Sequence, residues 1–405
     1  MRHYMDEKEL EKIRYEQDRQ LLTKNALPEH EELLRTLRAL IPTTGNLNEM
    51  FCNMFFSESV ELLKHAFFLY EDGYFDCAFY SLRQSIENIN NMLLSAVDSD
   101  KYELWKAKGR FPSDKIVKDL LDQKNDAYNE IKSAIPEFFE KYDELLKKSN
   151  KYIHKQGFDT FYTYKHSLSA KDIEERTKLF VSFLKYGIGM MLIMNIALDP
   201  LSLALSDFEV DSHIAFNPMT EPIPLYVFEE YLSIDIIEKI KTTSHYTSLK
   251  DYFLGLEKLN DATYAVIRYD YFDVKNLDEI EKQIKQLDLS QTLMFCILKS
   301  GIKATHFYWD NSILGYSTSY QPKVHLREYS SDQFDDYLNN SGEPNYLWHG
   351  MYISGFKALD SYLIIQHNDP LSDDEILAIK CVIEVANQRY KSELDSFKKL
   401  TEELN

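Results

Sequence analysis

Between Leu179 and Leu198 the chain reads LFVSFLKYGIGMMLIMNIAL, a stretch with a single charge, Lys185, and almost the length of a membrane span. A segment this apolar either crosses a bilayer or forms the innermost helix of a bundle whose other helices cover it on every side. Lys185 and Asn195 interrupt the run, and Met190, Met191 and Met194 suit irregular core contacts. The expectation is therefore a buried helix, opened by Ser169 as its cap and ended by Asp199-Pro200, in a protein with no membrane partner.

The segments before it supply the covering helices. Ser57 or Ser59 can cap a helix reaching Tyr70, and Asp72-Gly73 makes a turn. A second helix follows from Tyr74, with Phe75, Phe79, Leu82, Ile86, Ile89 and Leu93 at spacings of three and four. Ser113 caps a helix carrying Ile116, Val117, Leu120 and Leu121, and Pro136 opens another that runs through Tyr142 and Ile153 towards Gly157. Residues 51–200 thus read as a four-helix bundle without strands, preceded over 1–50 by a charged helical arm.

From 201 to 245 the periodicity is lost and Pro218, Pro222 and Pro224 fall close together, so this span reads as a linker with a short helix over Val227–Ile240. Beyond it, TYAVIRYDYF, TLMFCIL, IKATHFYW, KVHLREY, LWHGMYI and SYLIIQH have strand character, with a helix near 276–287. Residues 246–405 form an α+β domain closed by a long helix that Ser372 and Glu375 start as a capping box. Its stripe of Ile376, Ile379, Ile383, Ala386, Tyr390, Phe397 and Leu400 predicts packing on the sheet first and pairing with a second copy further on. The fold class is multidomain, α followed by mixed α+β.

Charge limits the partners. A net −20 repels nucleic acid and anionic membrane as a whole, so any nucleic-acid contact must be local. Residues 101–155 run against the trend, with 13 Lys/Arg against 10 Asp/Glu. Cys52, Cys77, Cys296 and Cys381 are far apart and lack zinc-ligand spacing, which predicts free thiols in a reducing compartment. The N-terminal MRHYMDEKELEKIRYEQDRQ has no apolar run, so a cytoplasmic location is expected. There is no phosphate loop, GxGxxG, GxSxG or HExxH, and His306, His325, His349 and His367 show no ligand spacing; neither a cofactor nor a metal is expected.

Within SNKYIHKQGF, Asn150 and His154 stand four apart on one helix face. An imidazole exchanges protons near neutral pH, and an amide beside it can orient it; the same pair also serves as a plain helix end. Arg83 and Glu87 share a face of the second helix, either as a simple ion pair or with Arg83 turned towards the His154 helix.

The turn and helix EDGYFDCAFYSLRQSIEN, followed by the helix ending in SNKYIHKQGF, resembles the HEPN superfamily over about residues 55–198. The resemblance implies a four-helix bundle that dimerises, in bacterial toxin, antiviral defence or abortive-infection systems. Active members cleave RNA without metal through an Arg, an adjoining polar residue and a His four to six residues on. Asn150 matches the polar position and His154 the His, whereas Ser149 or Lys148 stands where the Arg belongs. The resemblance thus implies a tentative site of His154, Asn150, Lys148 and Arg83, with RNA as partner, or else a non-catalytic dimeric adaptor. SYLIIQHNDPLSDDEILAIKCVIEVANQ is similar to the last strand and closing helix of GAF sensor domains, which implies a small-molecule or protein ligand there.

Overall fold

The computed structural model describes residues 50–160, 170–216, 218, 222–309, 315–323, 344–348 and 350–403, with positions 8 and 36. Nearly all of the arm expected over 1–50, the Ser169 cap, most of KVHLREY, and His325 and His349 lie outside the described residues. Two compact units emerge: residues up to Asp211 with Pro218–Gly255, and Ser212–Asn217 with Leu256–Asn405.

The first unit is helical. Its main elements are α1 (Met50–Glu71), α2 (Phe75–Val97), α3 (Ser99–Lys106), α4 (Asp114–Lys124), α5 (Asp126–Ala134), α6 (Pro136–Ile153) and α7 (Ala170–Leu198). Gly73, at φ 89°, occupies the left-handed conformation that closes the α1–α2 hairpin. The first helix already runs through Ser57 and Ser59; Ser59 is buried and accepts a hydrogen bond from Asn88 at 2.9 Å instead of capping an end.

The apolar run is the centre of this unit. Glu174–Leu198 is long and apolar enough to cross a membrane, yet Phe180, Phe183, Ile188 and Leu192 to Ile196 are almost wholly buried by neighbouring helices. Its fit depends on two glycines. A Cβ on Gly187 would stand 3.0 Å from Leu82 on α2, and one on Gly189 would stand 2.7 Å from Phe138 and 3.0 Å from the Tyr231 carbonyl. Lys185, the one charge, pairs with Glu230 at the surface.

Tyr231 and Glu230 belong to the span read as a linker, and here the structure differs. It folds into α8 (Leu201–Ala204), α9 (Phe208–Asp211), α10 (Leu225–Leu232), α11 (Ile234–Ile240) and, beyond 245, α12 (Ser244–Leu254). Val227, Phe228, Leu232, Ile237 and Ile240 are buried, and His245 reaches the Ile196 carbonyl at 3.0 Å. The four helices before α12 are too short to display a sustained 3.6-residue period, and Ser233 at φ 65° splits the expected Val227–Ile240 helix in two. The first unit runs on to Gly255, and Ser212–Asn217 joins the second.

The second unit contains α13 (Asp261–Tyr269), β1 (Tyr271–Phe272), α14 (Leu277–Lys282), α15 (Leu289–Lys299), β2 (Ala304–Trp309), β3 (Gly315–Thr318), β4 (Tyr346–Trp348), β5 (Met351–Ala358), β6 (Ser361–His367) and α16 (Asp373–Glu403). The sheet order is β1-β3-β2-β6-β5-β4, antiparallel except for the short β1–β3 pairing. Phe307, Phe356, Leu363 and Ile365 on one face meet Ile297, Ile379 and Ile383 from the helices.

Two expected strands are helices. In TYAVIRYDYF, Asn260 caps α13 by accepting from the Thr263 amide at 2.8 Å, and only Tyr271–Phe272 is extended. In TLMFCIL, Asp288 and Gln291 form a capping box at the start of α15. Side-chain caps outside each run therefore outweighed the β-propensity within it. SYLIIQH is β6 from end to end.

Candidate functional site

Asn150 lies in the last turn of α6 and His154 is the residue that ends it. The His154 amide closes the helix on the Asn150 carbonyl at 2.9 Å, and its imidazole is exposed. The core side of this helix is marked by Phe138, Tyr142, Leu145 and Ser149. Ser149 is fully buried and its hydroxyl donates to the Leu146 carbonyl at 2.9 Å, so the motif position falls inside the bundle.

Lys148 points elsewhere. Residues two apart on an α-helix are separated by about 160° around its axis, so Lys148 and Asn150 take different flanks. The Lys148 ammonium is held by Glu144 one turn back, at 2.5 Å, and both side chains are about half exposed. Lys141 also binds Glu144, and the two lysines hold that carboxyl at about 2.

The cation that meets Asn150 comes from α2. Arg83 is only about a quarter exposed, wedged beside the buried Leu82 and Ile86, and its Nη1–H donates to Asn150 Oδ1 at 2.9 Å. Its Nε–H is bound by Glu87, one turn further along the same helix. Of the residues singled out in the sequence, Arg83 and Asn150 are brought together, His154 lies one turn beyond Asn150 on that flank, and Lys148 is turned away.

A second cation was not anticipated. Arg176 on α7 is 4% exposed, with its guanidinium 4.7 Å from the Phe75 ring centre and 5.6 Å from that of Tyr152, two residues before His154. Its Nε and Nη1 are shielded from solvent and have no hydrogen-bond partner among the described residues. The sequence carried only a faint signal for it, since EERTKLF places Arg176 among residues that look solvated. Beside it Lys155, at φ 52°, bridges to Asp76 at 2.7 Å.

A groove of about 680 Å³ opens alongside, lined by Phe68, Asp72, Asp76, Cys77 and Tyr80 of the α1–α2 hairpin and by Ile153. Phe68 and Tyr80 are 44% and 57% exposed, which makes the groove apolar at its walls. Burial and the adjacent Asp76 carboxylate push the Cys77 thiol up, which disfavours its thiolate form.

In the second unit His367 is buried: its Nδ1 faces the Asp369 carbonyl at 2.7 Å and its Nε2 the Ser354 hydroxyl at 2.8 Å. Both ring nitrogens are thus occupied within the fold. Among the described residues no group of His, Cys, Asp and Glu is arranged to hold a metal ion. No family model, curated protein or solved structure matches the chain.

Proposed function

We propose that the first unit is a HEPN-like, dimeric RNA-directed effector of the antiviral-defence kind, in which Arg83, Asn150 and His154 act on RNA under control of a GAF-like second unit. The observation that carries this reading is the 2.9 Å hydrogen bond from Arg83 to Asn150. It puts a guanidinium on the flank of α6 that bears His154, where Ser149 and Lys148 leave the motif position without one.

RNA brings its own nucleophile, the 2′-hydroxyl. In this reading the exposed His154 takes the proton from that hydroxyl as its oxygen attacks the neighbouring phosphorus. The proton is then returned to the departing 5′-oxygen, which leaves a cyclic phosphate. Arg83 donates to the non-bridging oxygens on which charge accumulates, and Asn150 sets the direction of the guanidinium. A second copy seated on the hairpin would double the site, and the exposed Phe68 and Tyr80 supply apolar area for that contact.

Incubation of the purified full-length protein with single-stranded RNA in EDTA is the test. Cyclic-phosphate ends that disappear in Arg83→Ala and His154→Ala are the expected result. Intact RNA at stoichiometric enzyme would remove the catalytic reading.

One observation favours the alternative, a non-catalytic sensor or adaptor built on the same bundle. Glu87 already neutralises Arg83, and a paired guanidinium attracts phosphate less than an unpaired one. The second unit supports the sensing role through its five antiparallel strands backed by α16.

A further inference from the structure

The lysines in the second half of α6 divide by flank. Lys141 and Lys148 are both bound by Glu144. Lys147 and Lys151 are exposed and have no carboxylate partner among the described residues. At about 100° per residue, Lys147, Lys151 and His154 fall within about 60° of one another around the helix, with Asn150 beside them, and span about 10 Å along it. Helical spacing alone therefore lines two unpaired ammonium groups up with the imidazole.

The same flank leads to a second group of cations. Asp143, one turn before Lys147, is drawn to Lys118 on α4 at 3.4 Å, and Lys118 also binds Asp114, the first residue of α4, at 3.2 Å. The turn that enters α4 carries Lys106, Lys108 and Arg110, with no carboxylate between Glu103 and Asp114. Amides of Ala107, Lys108 and Gly109 donate back to the carbonyls of Glu103, Trp105 and Leu104 at 2.8 to 2.9 Å, which fixes the turn. Cα atoms two residues apart cannot separate by more than about 7 Å, so the chain itself keeps these cations together. Lys106 pairs with Glu103 at 3.7 Å; Lys108 and Arg110 are exposed and bind no described carboxylate. Lys108 holds φ 58°, a conformation that favours glycine.

The shape of this track selects the partner. In a chain of net charge −20, a flat anionic membrane would bring much acidic surface within a Debye length of about 8 Å, whereas a single strand is narrow enough to follow the cations alone. Tyr102, Trp105 and Phe111 flank the turn, and each keeps part of its ring in solvent, where bases can stack.

We infer that a single-stranded RNA runs from His154 past Lys151 and Lys147 to the turn at Lys108 and Arg110, its phosphates on these cations. This deepens the proposed RNA-directed function and rests on it for the identity of the strand. Binding and cleavage are read separately, so the two can fail separately.

Fluorescence anisotropy of labelled oligouridylates of 4, 8 and 16 nucleotides with full-length His154→Ala, over a range of salt, tests it. Affinity should rise with length. The pairs Lys147→Gln/Lys151→Gln and Lys108→Gln/Arg110→Gln should each weaken the 16-mer about tenfold and reduce the slope of log affinity against log salt by about 1.4, two single-strand phosphate contacts. The 4-mer should feel only the first pair. Lys132→Gln, at a lysine already held by Asp122, should change nothing. Lys108→Gly should weaken the 16-mer without lowering the thermal midpoint, because glycine adopts that φ freely. The inference is overturned by an unchanged salt slope in the four-site variant, or by polyglutamate or phosphatidylserine vesicles competing as well as RNA of equal charge. Binding without cleavage by the wild-type protein would keep the track and remove the catalytic reading; cleavage of the 16-mer with unchanged KM by the four-site variant would do the reverse.

Discussion

The guanidinium of Arg83, in the third turn of α2, donates to the side-chain oxygen of Asn150 in the last turn of α6, 67 residues later in the chain. A single arginine thus joins two helices and its own helix-mate Glu87. Such a contact is charge-assisted but about a quarter exposed, so its coupling should be near 1 kcal/mol, below the buried value. A urea double-mutant cycle with Arg83→Ala and Asn150→Ala measures it, and additive effects would mean the two side chains do not interact in solution. Arg83→Lys should behave like the alanine variant, because an ammonium lacks the planar fork needed to reach both partners.

Arg176 leads to an unusual expectation. A buried unpaired charge costs several kcal/mol, whereas each desolvated cation–π contact returns about 2 kcal/mol. Arg176→Met keeps the stem between Phe75 and Tyr152 and removes the charge, so it should raise the unfolding free energy by about 1 kcal/mol or more. Thermal and urea unfolding check this. A clear loss of stability would show that the ring contacts outweigh desolvation.

Burial lowers the pKa of His367, although the nearby Glu375 and Asp369 pull the other way. The folded imidazole therefore holds a proton less readily than the unfolded one, whose pKa is about 6.5. As pH falls through that value the unfolded state takes up the proton first and stability drops; above it the contribution is complete. Protonation would also remove the acceptor for the Ser354 hydroxyl. Unfolding of His367→Gln between pH 7.5 and about 5 should depend less steeply on pH than the parent. Parallel curves would exclude the ring as the titrating group.

Gly189 ranks by geometry, not propensity. Alanine favours a helix over glycine by about 1 kcal/mol, yet the new methyl would meet the Tyr231 carbonyl and the Phe138 ring inside ordinary contact distance. Gly189→Ala should destabilise by about 1 to 3 kcal/mol, the usual cost of overpacking. Denaturant unfolding decides it, and a stabilised variant would show that α10 can move away.

The α1–α2 hairpin, α4 and α6, the buried role of the 179–198 run, the strand at 361–367 and the helix that follows were all legible in the sequence. Each is a long or strongly patterned segment whose local signal and tertiary burial agree. Residues 201–245 and the runs within 263–272 and 292–298 were misread because short helices carry little periodicity and their caps lie outside the apolar run. Spacing alone could place Asn150 and His154 on one face, since four residues fix that within a helix. Tertiary structure alone could select Arg83 over Lys148 as the cation beside them and bury Arg176 between two rings. A sequence specifies the angle of a side chain around its own helix; which other element faces it depends on how the helices and strands pack.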